Sequence, residues 1–503
     1  MHTTTALLAV SGLATAVNAG TLSVPLSKQV RSDAPAAANA ALARRDTSFD
    51  IEILNNLTGK AYFTEMGVGT PPQKLSFLVD TGSSDTWVNS DHTEFCTKGQ
   101  YIAGQRLPPN CLKQFNSDDS STFEVVNRNF KIGYFDGSSA SGVYFNDTVT
   151  IGDDATIENQ QLGLATTTTH QTGLMGLGMS VAVAATKKYP TILDNLVSNG
   201  VIDTPAFSVY LNGLSKDKGS ILFGGIDTKK YVGNLTMLPL KPDTLNNFEN
   251  ITSYSVDLKG VTVDGGIEVG NGTTGAIFDT GSTISILPDE VVQPIWDEFN
   301  VTTALGLPAP FIDCKYATKK YSKYKFNFEF DGVTITVPLK ELVVNSLDDT
   351  VEETLKNNIY TRSTFEDFDS ICVFGIANIG SFFQDTNPEL DDDFGQEEPP
   401  RFALLGDTFL RSAYIVYDLA NKQLGVAPSY IGSDESNVVA LKANSSIPMI
   451  KGMDAPAPED YSDVGTDGKG GGNDDDGDSA AGNLRAPVTA VALLMAGFAM
   501  MAL

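Results

Sequence analysis

One short pattern is written twice in this chain. Phe77-Leu78-Val79-Asp80-Thr81-Gly82-Ser83 returns 199 residues later as Ala276-Ile277-Phe278-Asp279-Thr280-Gly281-Ser282. Each copy runs three apolar residues into Asp-Thr-Gly-Ser, the pattern of a buried strand that ends in a tight loop. A second pair of segments is similarly matched. Thr172-Gly173-Leu174-Met175-Gly176-Leu177-Gly178 is echoed by Phe402-Ala403-Leu404-Leu405-Gly406-Asp407. Duplication over a domain-length period points to two similar halves related by a local twofold axis. Such an axis would bring Asp80 and Asp279 together where the halves meet.

The surroundings read mainly as strands, through alternation, β-branched residues and Gly-containing breaks. Strands are expected over Lys60–Val68, Leu75–Asp80, Phe130–Tyr134, Val143–Ile151, Ala206–Leu211, Ile221–Phe223, Tyr254–Val263, Lys325–Phe330, Val333–Val337 and Tyr414–Asp418. Two short helices are expected, Thr191–Gly200 and Pro288–Phe299, the second with a kink or early break at Pro294. The fold class is mostly β and two-lobed, roughly Asp46–Gly432. Its N-terminal lobe is residues 46–213 and its C-terminal lobe residues 214–432.

Composition narrows the chemistry. The chain has 503 residues, with 34 Lys and Arg against 62 Asp and Glu, a net charge of −28. That balance argues against a nucleic-acid partner, because phosphate binding needs a basic face. Three His leave little room for imidazole-ligated metal. Phosphate-binding G-x-x-x-x-G-K-[ST], zinc-binding H-E-x-x-H and the G-x-S-x-G elbow are all missing from the sequence. Carboxylates are left as the agents. A lone Asp-Thr-Gly is usually a turn, but two on one axis can work as a pair. Two carboxylates about 4 Å apart repel by ~4 kcal/mol at an effective dielectric of 20, or roughly three pKa units. Both cannot readily ionise, so the pair holds one proton over a wide acidic range. The ionised member can then take a proton from water while the protonated member polarises an amide carbonyl. Gly82 and Gly281 let main-chain N–H groups approach the carboxylates. Thr81 and Thr280 could lock the loops across the junction, and Ser83 and Ser282 could orient the outer oxygens. No metal or organic cofactor is implied.

With these residues in hand, the sequence resembles the pepsin-like aspartic proteases, most of all their fungal, lipid-anchored yapsin-like branch. The similarity covers about Lys60 to Pro428. It rests on Asp80-Thr81-Gly82-Ser83-Ser84-Asp85-Thr86-Trp87-Val88, Ala276–Ser282, Phe207-Ser208-Val209-Tyr210-Leu211, Gly224-Gly225-Ile226-Asp227 and Leu404-Leu405-Gly406-Asp407-Thr408-Phe409-Leu410-Arg411. The resemblance implies a bilobal fold, a cleft between the lobes for an extended peptide, and a hairpin flap over the two Asp. Ile132-Gly133-Tyr134-Phe135-Asp136-Gly137-Ser138 matches that flap, with Tyr134 as its tip aromatic. By the same matching the Trp87 indole N–H should reach the Tyr134 hydroxyl, and the flap residues Tyr134, Asp136, Gly137 and Ser138 should meet substrate. Phe135 stands where a small residue is common. Asp136, a carboxylate beside the pocket for the residue before the scissile bond, would attract Lys or Arg there.

The remaining features concern destination. Residues 1–19 read as a secretory signal ending Val17-Asn18-Ala19. Secretion allows two disulfides. Four Cys permit three pairings, and the local one, Cys96–Cys111 with Cys314–Cys372, is expected. Residues 20–45 read as a propeptide removed after Arg45, in the dibasic Arg44-Arg45. Sequons at Asn56, Asn146, Asn234, Asn250, Asn271, Asn300 and Asn444 suit an extracellular glycoprotein. Residues 433–479, rich in Gly, Ser, Asp and Pro, read as an acidic extended stalk. Small residues, a short spacer and the apolar run Ala486–Leu503 form the layout of a glycosylphosphatidylinositol signal. Ser479 is the expected attachment point, with Gly477 and Asn483 as rivals, and residues 480–503 would be removed. Gln384–Pro400 carries seven acids and no base, and could draw cationic peptides toward the cleft. The expected whole is a monomeric, secreted, membrane- or wall-anchored endopeptidase acting on peptides at acid pH. The rival reading is an inactive binding or wall-structural protein on the same fold.

Overall fold

Alternation of apolar and polar side chains builds most of this molecule. In Lys325–Phe330 the rings of Phe326, Phe328 and Phe330 are buried while the residues between them face outward. The strand turns through Asp331 and Gly332, whose φ of +84° suits glycine, and pairs with Val333–Pro338. The computed structural model describes residues 20–30 and 60–455, apart from 99–100, 103–104, 107–110, 135–137, 153–154, 169, 217, 243–249, 271, 305–306, 348, 359–360 and 379–400.

One 13-stranded sheet draws on both halves of the chain. In spatial order it runs Thr236–Pro239, Gln423–Pro428, Ala413–Asp418, Ala206–Tyr210, Lys218–Phe223, Leu22–Val30, Lys60–Val68, Gln73–Asp80, Gly173–Gly176, Trp87–Asn89, Ala155–Thr168, Ser139–Ile151 and Glu124–Gly133. A five-stranded sheet, Ser255–Leu258, Thr274–Phe278, Phe402–Leu405, Ser285–Leu287 and Ile376–Asn378, belongs to the C-terminal half. The two halves repeat one arrangement. Gln73–Asp80 pairs in parallel with Gly173–Gly176, which meets Trp87–Asn89 antiparallel. Thr274–Phe278 pairs in parallel with Phe402–Leu405, which meets Ser285–Leu287 antiparallel. The paired sequence echoes are therefore paired strands. The fold is the mostly-β, bilobal pepsin-like one.

The helix Asp289–Phe299 buries Val291, Val292, Ile295, Trp296 and Phe299 and runs unbroken through Pro294. The expected break does not occur, for a visible reason. Pro294 cannot donate to the Glu290 carbonyl, and the Gly270 N–H supplies that bond instead at 2.9 Å. Asn300 then ends the helix in the left-handed region, φ 50°.

Two segments carry more regular structure than the sequence suggests, the first without bearing on whether it is a propeptide. Within residues 20–45, Leu22–Val30 is a central strand, bonded to Lys218–Phe223 on one side and to Lys60–Phe63 on the other. Leu22, Val24 and Leu26 are buried and Ser23, Pro25 and Ser27 exposed, a half-buried strand's alternation. Within residues 433–479, the stretch 433–455 is packed on the body rather than extended into solvent. Val438–Ala440 pairs with Gly225–Asp227, and Leu441 and Ile447 are buried. The Tyr231 hydroxyl donates to the Ile450 carbonyl at 2.7 Å. A stalk can begin only beyond Ala455, because these apolar groups have found a surface to cover. The apolar tail and Ser479 lie outside the described residues.

Candidate active site

The two Asp-Thr-Gly loops meet because the strands that carry them end at the same level. The Asp80 carbonyl accepts from the Leu177 N–H at 2.8 Å, and the Asp279 N–H donates to the Leu405 carbonyl at 3.0 Å. Each loop is thus fastened to the echo segment of its own half. Between the halves, the Thr81 N–H donates to the Thr280 hydroxyl at 3.1 Å and the Thr280 N–H to the Thr81 hydroxyl at 3.0 Å. The Thr81 hydroxyl donates to the Phe278 carbonyl and the Thr280 hydroxyl to the Val79 carbonyl, both at 2.9 Å.

This symmetry carries into the carboxyls. Gly82 N–H donates to Asp80 Oδ1 and Gly281 N–H to Asp279 Oδ1, each at 2.8 Å. Ser83 donates its hydroxyl to Asp80 Oδ2, and Ser282 to Asp279 Oδ2 at 2.9 Å. Each glycine also lies against the opposite acid. A Cβ on Gly82 would stand 2.7 Å from the Asp279 carboxyl carbon. A Cβ on Gly281 would stand 2.5 Å from Asp80 Oδ1 and 3.1 Å from Asp279 Oδ1. No side chain fits between these loops and the acids.

Asp80 is 4% exposed and Asp279 8%, so water does little to stabilise two charges here. A Cβ on Gly281 would touch both carboxyls, so the two face one another, and a charge on one disfavours a charge on the other. Burial, and after it the Asp279 charge, push Asp80 up to about 7. Burial raises Asp279 as well, against the bonds from Gly281 and Ser282. Once one acid has ionised, its charge holds the proton on the other, and the pair then carries a single shared proton.

Glu124–Gly133 and Ser139–Ile151 form a long hairpin, and the Tyr134 N–H closes its tip on the Ser138 carbonyl at 2.9 Å. Phe135, Asp136 and Gly137 lie outside the described residues. The Trp87 indole N–H donates to the Tyr134 hydroxyl at 2.7 Å. Burial, and after it the Asp80 charge, raise the Tyr134 phenol well above its ordinary value.

Two groups around this site have roles that only the fold reveals. Asp85, fully buried, accepts from the hydroxyls of Tyr144 at 2.9 Å and Tyr189 at 2.7 Å and from the Ala184 N–H, fixing the loop between Ser83 and Trp87. His170 is buried beneath the hairpin, with Nε2 2.9 Å from the Ser138 hydroxyl. Nothing in the spacing of the three His singles it out.

Elsewhere, the disulfides are Cys96–Cys111 and Cys314–Cys372, with Cα atoms 5.3 and 5.1 Å apart. Of the sequons, Asn234, Asn250, Asn300 and Asn444 are exposed and Asn146 is half-buried. Asn56, Asn271, Arg45 and the acidic segment 384–400 lie outside the described residues.

Residues 61–429 match the family model described as "Eukaryotic aspartyl protease". The chain is 33% identical over 417 residues to "Probable aspartic-type endopeptidase OPSB" of Arthroderma benhamiae, covering 81% of this chain and 75% of that one. It is 30% identical to "Acid protease" of Saccharomycopsis fibuligera over 73% of this chain and 80% of that protein. It is 31% identical to "Candidapepsin" of Candida tropicalis over 73% and 79%. Two matched loops, two facing acids and a match spanning most of the sequence lead to one conclusion: the chain belongs to the family of eukaryotic aspartyl proteases.

Proposed function

We propose that this protein is an aspartic endopeptidase whose reaction is run by Asp80 and Asp279 on an extended peptide held under the hairpin flap. The observation that carries this reading is the pair of buried, facing carboxyls where the two loops meet, an arrangement that favours one shared proton; aspartic proteases are themselves the reference case for such sharing. The ionised acid takes a proton from a water held between the two and the oxygen attacks the amide carbonyl carbon. The protonated acid hydrogen-bonds the carbonyl oxygen, which becomes the second hydroxyl of a tetrahedral diol. The dyad then delivers a proton to the amide nitrogen, the C–N bond breaks, and an acid and an amine leave. Ser83 and Ser282 fix the outer oxygens, and Gly82 and Gly281 leave room for the attack. Cleavage of a peptide library at pH 4, with and without a statine-type inhibitor, tests this. Asp80→Asn and Asp279→Asn should each lower kcat by about 10²- to 10⁴-fold; turnover left intact in either would end the reading.

The finer reading places the enzyme outside the cell. Residues 1–19 would direct secretion, Arg45 would be the processing site, and a glycosylphosphatidylinositol anchor at Ser479 would hold a monomer at the membrane or wall. Support comes from the sequence: small residues before a terminal apolar run, and seven sequons. Mass spectrometry of the mature protein would read both termini directly. Asp136 on the flap would favour Lys or Arg before the scissile bond, and segment 384–400 would add long-range attraction. An Asp136→Ala enzyme that keeps the wild-type ratio of Lys to Leu cleavage would remove the first idea. A rate on basic peptides indifferent to salt would remove the second.

A further inference from the structure

His170 takes no part in the reaction above, yet it touches the residues that set the flap. Its Nε2 lies 2.9 Å from the Ser138 hydroxyl, on the returning limb of the hairpin. Its ring meets Tyr134 edge-on at 5.2 Å and Trp87 edge-on at 5.5 Å between centroids. The main chain on either side is pinned. Its N–H donates to the Thr168 hydroxyl and its carbonyl accepts from the Asn89 amide, both at 3.0 Å. Asn89 shares a strand with Trp87, so the imidazole is held against the body while it reaches the flap.

We propose that His170 is a positioning residue for the flap: through Ser138 on one limb, the Tyr134 ring on the other and Trp87 on the body, it sets how the hairpin closes on a peptide, and protonation of its imidazole is linked to that closure. The proposal rests on the endopeptidase reading. Imidazole is the side chain that ordinarily changes charge near pH 6.5, inside the range between an acidic and a neutral surrounding. A neutral ring can accept from the Ser138 hydroxyl through Nε2, whereas an imidazolium can only donate to it. Where the neutral ring carries its proton on Nδ1, protonation therefore reverses the bond to the flap, and in either tautomer it places a positive charge beside two aromatic rings. Among the described residues packed against it, the flap brings the Tyr134 phenol, and the strand Trp87–Asn89 and Thr168 bring no charge at the contact. The carboxyls whose charges act on Tyr134 are Asp80 and Asp85. A peptide that closes the flap favours one protonation state of the ring, and by linkage the ring's state alters peptide affinity.

The full-length protein carries the test. His170→Gln keeps a hydrogen-bonding group but cannot take up a proton. It should raise KM for a peptide substrate about 3- to 10-fold, the weight of one buried hydrogen bond, with kcat within about twofold of wild type. Tryptophan fluorescence should show a quenching step between pH 5 and 8 in the wild type that is missing from His170→Gln, since imidazolium quenches the neighbouring indole. A saturating statine-type inhibitor should move the midpoint of that step by about half a pH unit or more. Should His170→Gln fail to fold, Ser138→Ala leaves the imidazole in place and should raise KM over the same range. The proposal is overturned if the wild type cleaves peptides while the variants keep its KM and pH profile, or if the inhibitor leaves the midpoint where it was. A wild type that neither cleaves peptides nor binds the inhibitor overturns the endopeptidase reading itself, and this proposal with it.

Discussion

Thr81 and Thr280 each give their main-chain N–H to the other's hydroxyl, at 3.1 and 3.0 Å, and each hydroxyl passes its own proton to the carbonyl preceding the opposite acid. All four bonds are buried, so none competes with water. Thr81→Val keeps the volume and removes the hydroxyl, leaving the Thr280 N–H and the Phe278 carbonyl without partners. The expected cost is about 2–6 kcal/mol, at 1–3 kcal/mol for each orphaned group. Because the bonds also set the spacing of the acids, kcat should fall more than KM rises. Thr81→Ser should recover most of both. Calorimetry and steady-state kinetics on the pair of variants measure this; equal melting temperatures for Val and Thr would contradict it.

The strand Leu22–Val30 makes the N-terminal segment structural. Without it, Lys218–Phe223 and Lys60–Phe63 face each other across a missing strand, and the contacts of Leu22, Val24 and Leu26 are lost. At about 1.5–3 kcal/mol for each buried aliphatic side chain, the loss is comparable with the whole stability of a typical domain. A chain synthesised from Asp46 should therefore be insoluble or show no cooperative thermal transition, whereas the folded protein cut after Arg45 should keep residues 20–30 paired in the sheet. A synthetic peptide of residues 20–30 should restore folding when present during refolding. Cooperative melting of the shortened chain at the full-length temperature would refute this structural role.

At the other end, two truncations separate the packed strap from the residues beyond Ala455. Stopping after Gly432 removes Val438–Ala440 from its pairing with Gly225–Asp227 and uncovers the sites of Leu441 and Ile447. It also removes Ser436 and Asn437, which satisfy Asp227 at 2.7 and 2.8 Å. The melting temperature should drop by several degrees, from about 3–6 kcal/mol of lost apolar burial. Stopping after Ala455 should leave it unchanged. A thermal-shift series over the two shortened chains decides between packed strap and free stalk.

The sequence was most informative where a local pattern also meets a global need. The duplicated Asp-Thr-Gly loops and their echoes are legible because the chemistry needs the same residues at the same place in both halves. Lys325–Phe330 is legible because one of its faces is buried, and Lys60–Val68 because its β-prone residues are buried on both faces, with only Glu65 exposed from Ala61 to Val68. Pro294 misleads because its effect depends on whether a distant N–H takes over the freed carbonyl, and Gly270 does so. Leu22–Val30 alternates correctly, but Pro25 interrupts the run and an Ala-rich segment comes after it, so the strand is hard to separate from its Ala-rich surroundings. The strap 433–455 is hidden by averaging, since a few apolar residues are diluted among the acidic and glycine residues beyond them. His170 is invisible for another reason. Only the folded hairpin brings it to Ser138, 32 residues away.

Three buried carboxyls give the stability a direction with pH. Burial raises Asp80, Asp279 and Asp407, and Asp407 Oδ1 finds no partner among the described residues. Below about pH 4, the ordinary Asp value, these groups are protonated in both the folded and unfolded chain and the fold is fully stable with respect to them. As pH rises above that value the unfolded chain releases its protons first, so each raised group lowers the stability until it too ionises in the fold. For Asp80 that window runs from the ordinary value up to about 7. A displacement of that size is worth on the order of 4 kcal/mol, divided in practice with its partner. The melting temperature should therefore decline between pH 4 and 7. Asp80→Asn should flatten the decline, melting above wild type at pH 7 and near it at pH 4, while abolishing turnover. Asp407→Asn should flatten it without touching the dyad's own hydrogen bonds. Thermal-shift curves at half-unit steps from pH 3.5 to 7.5 give the answer, and a melting temperature that climbs toward neutrality would reverse the sign assigned to these acids.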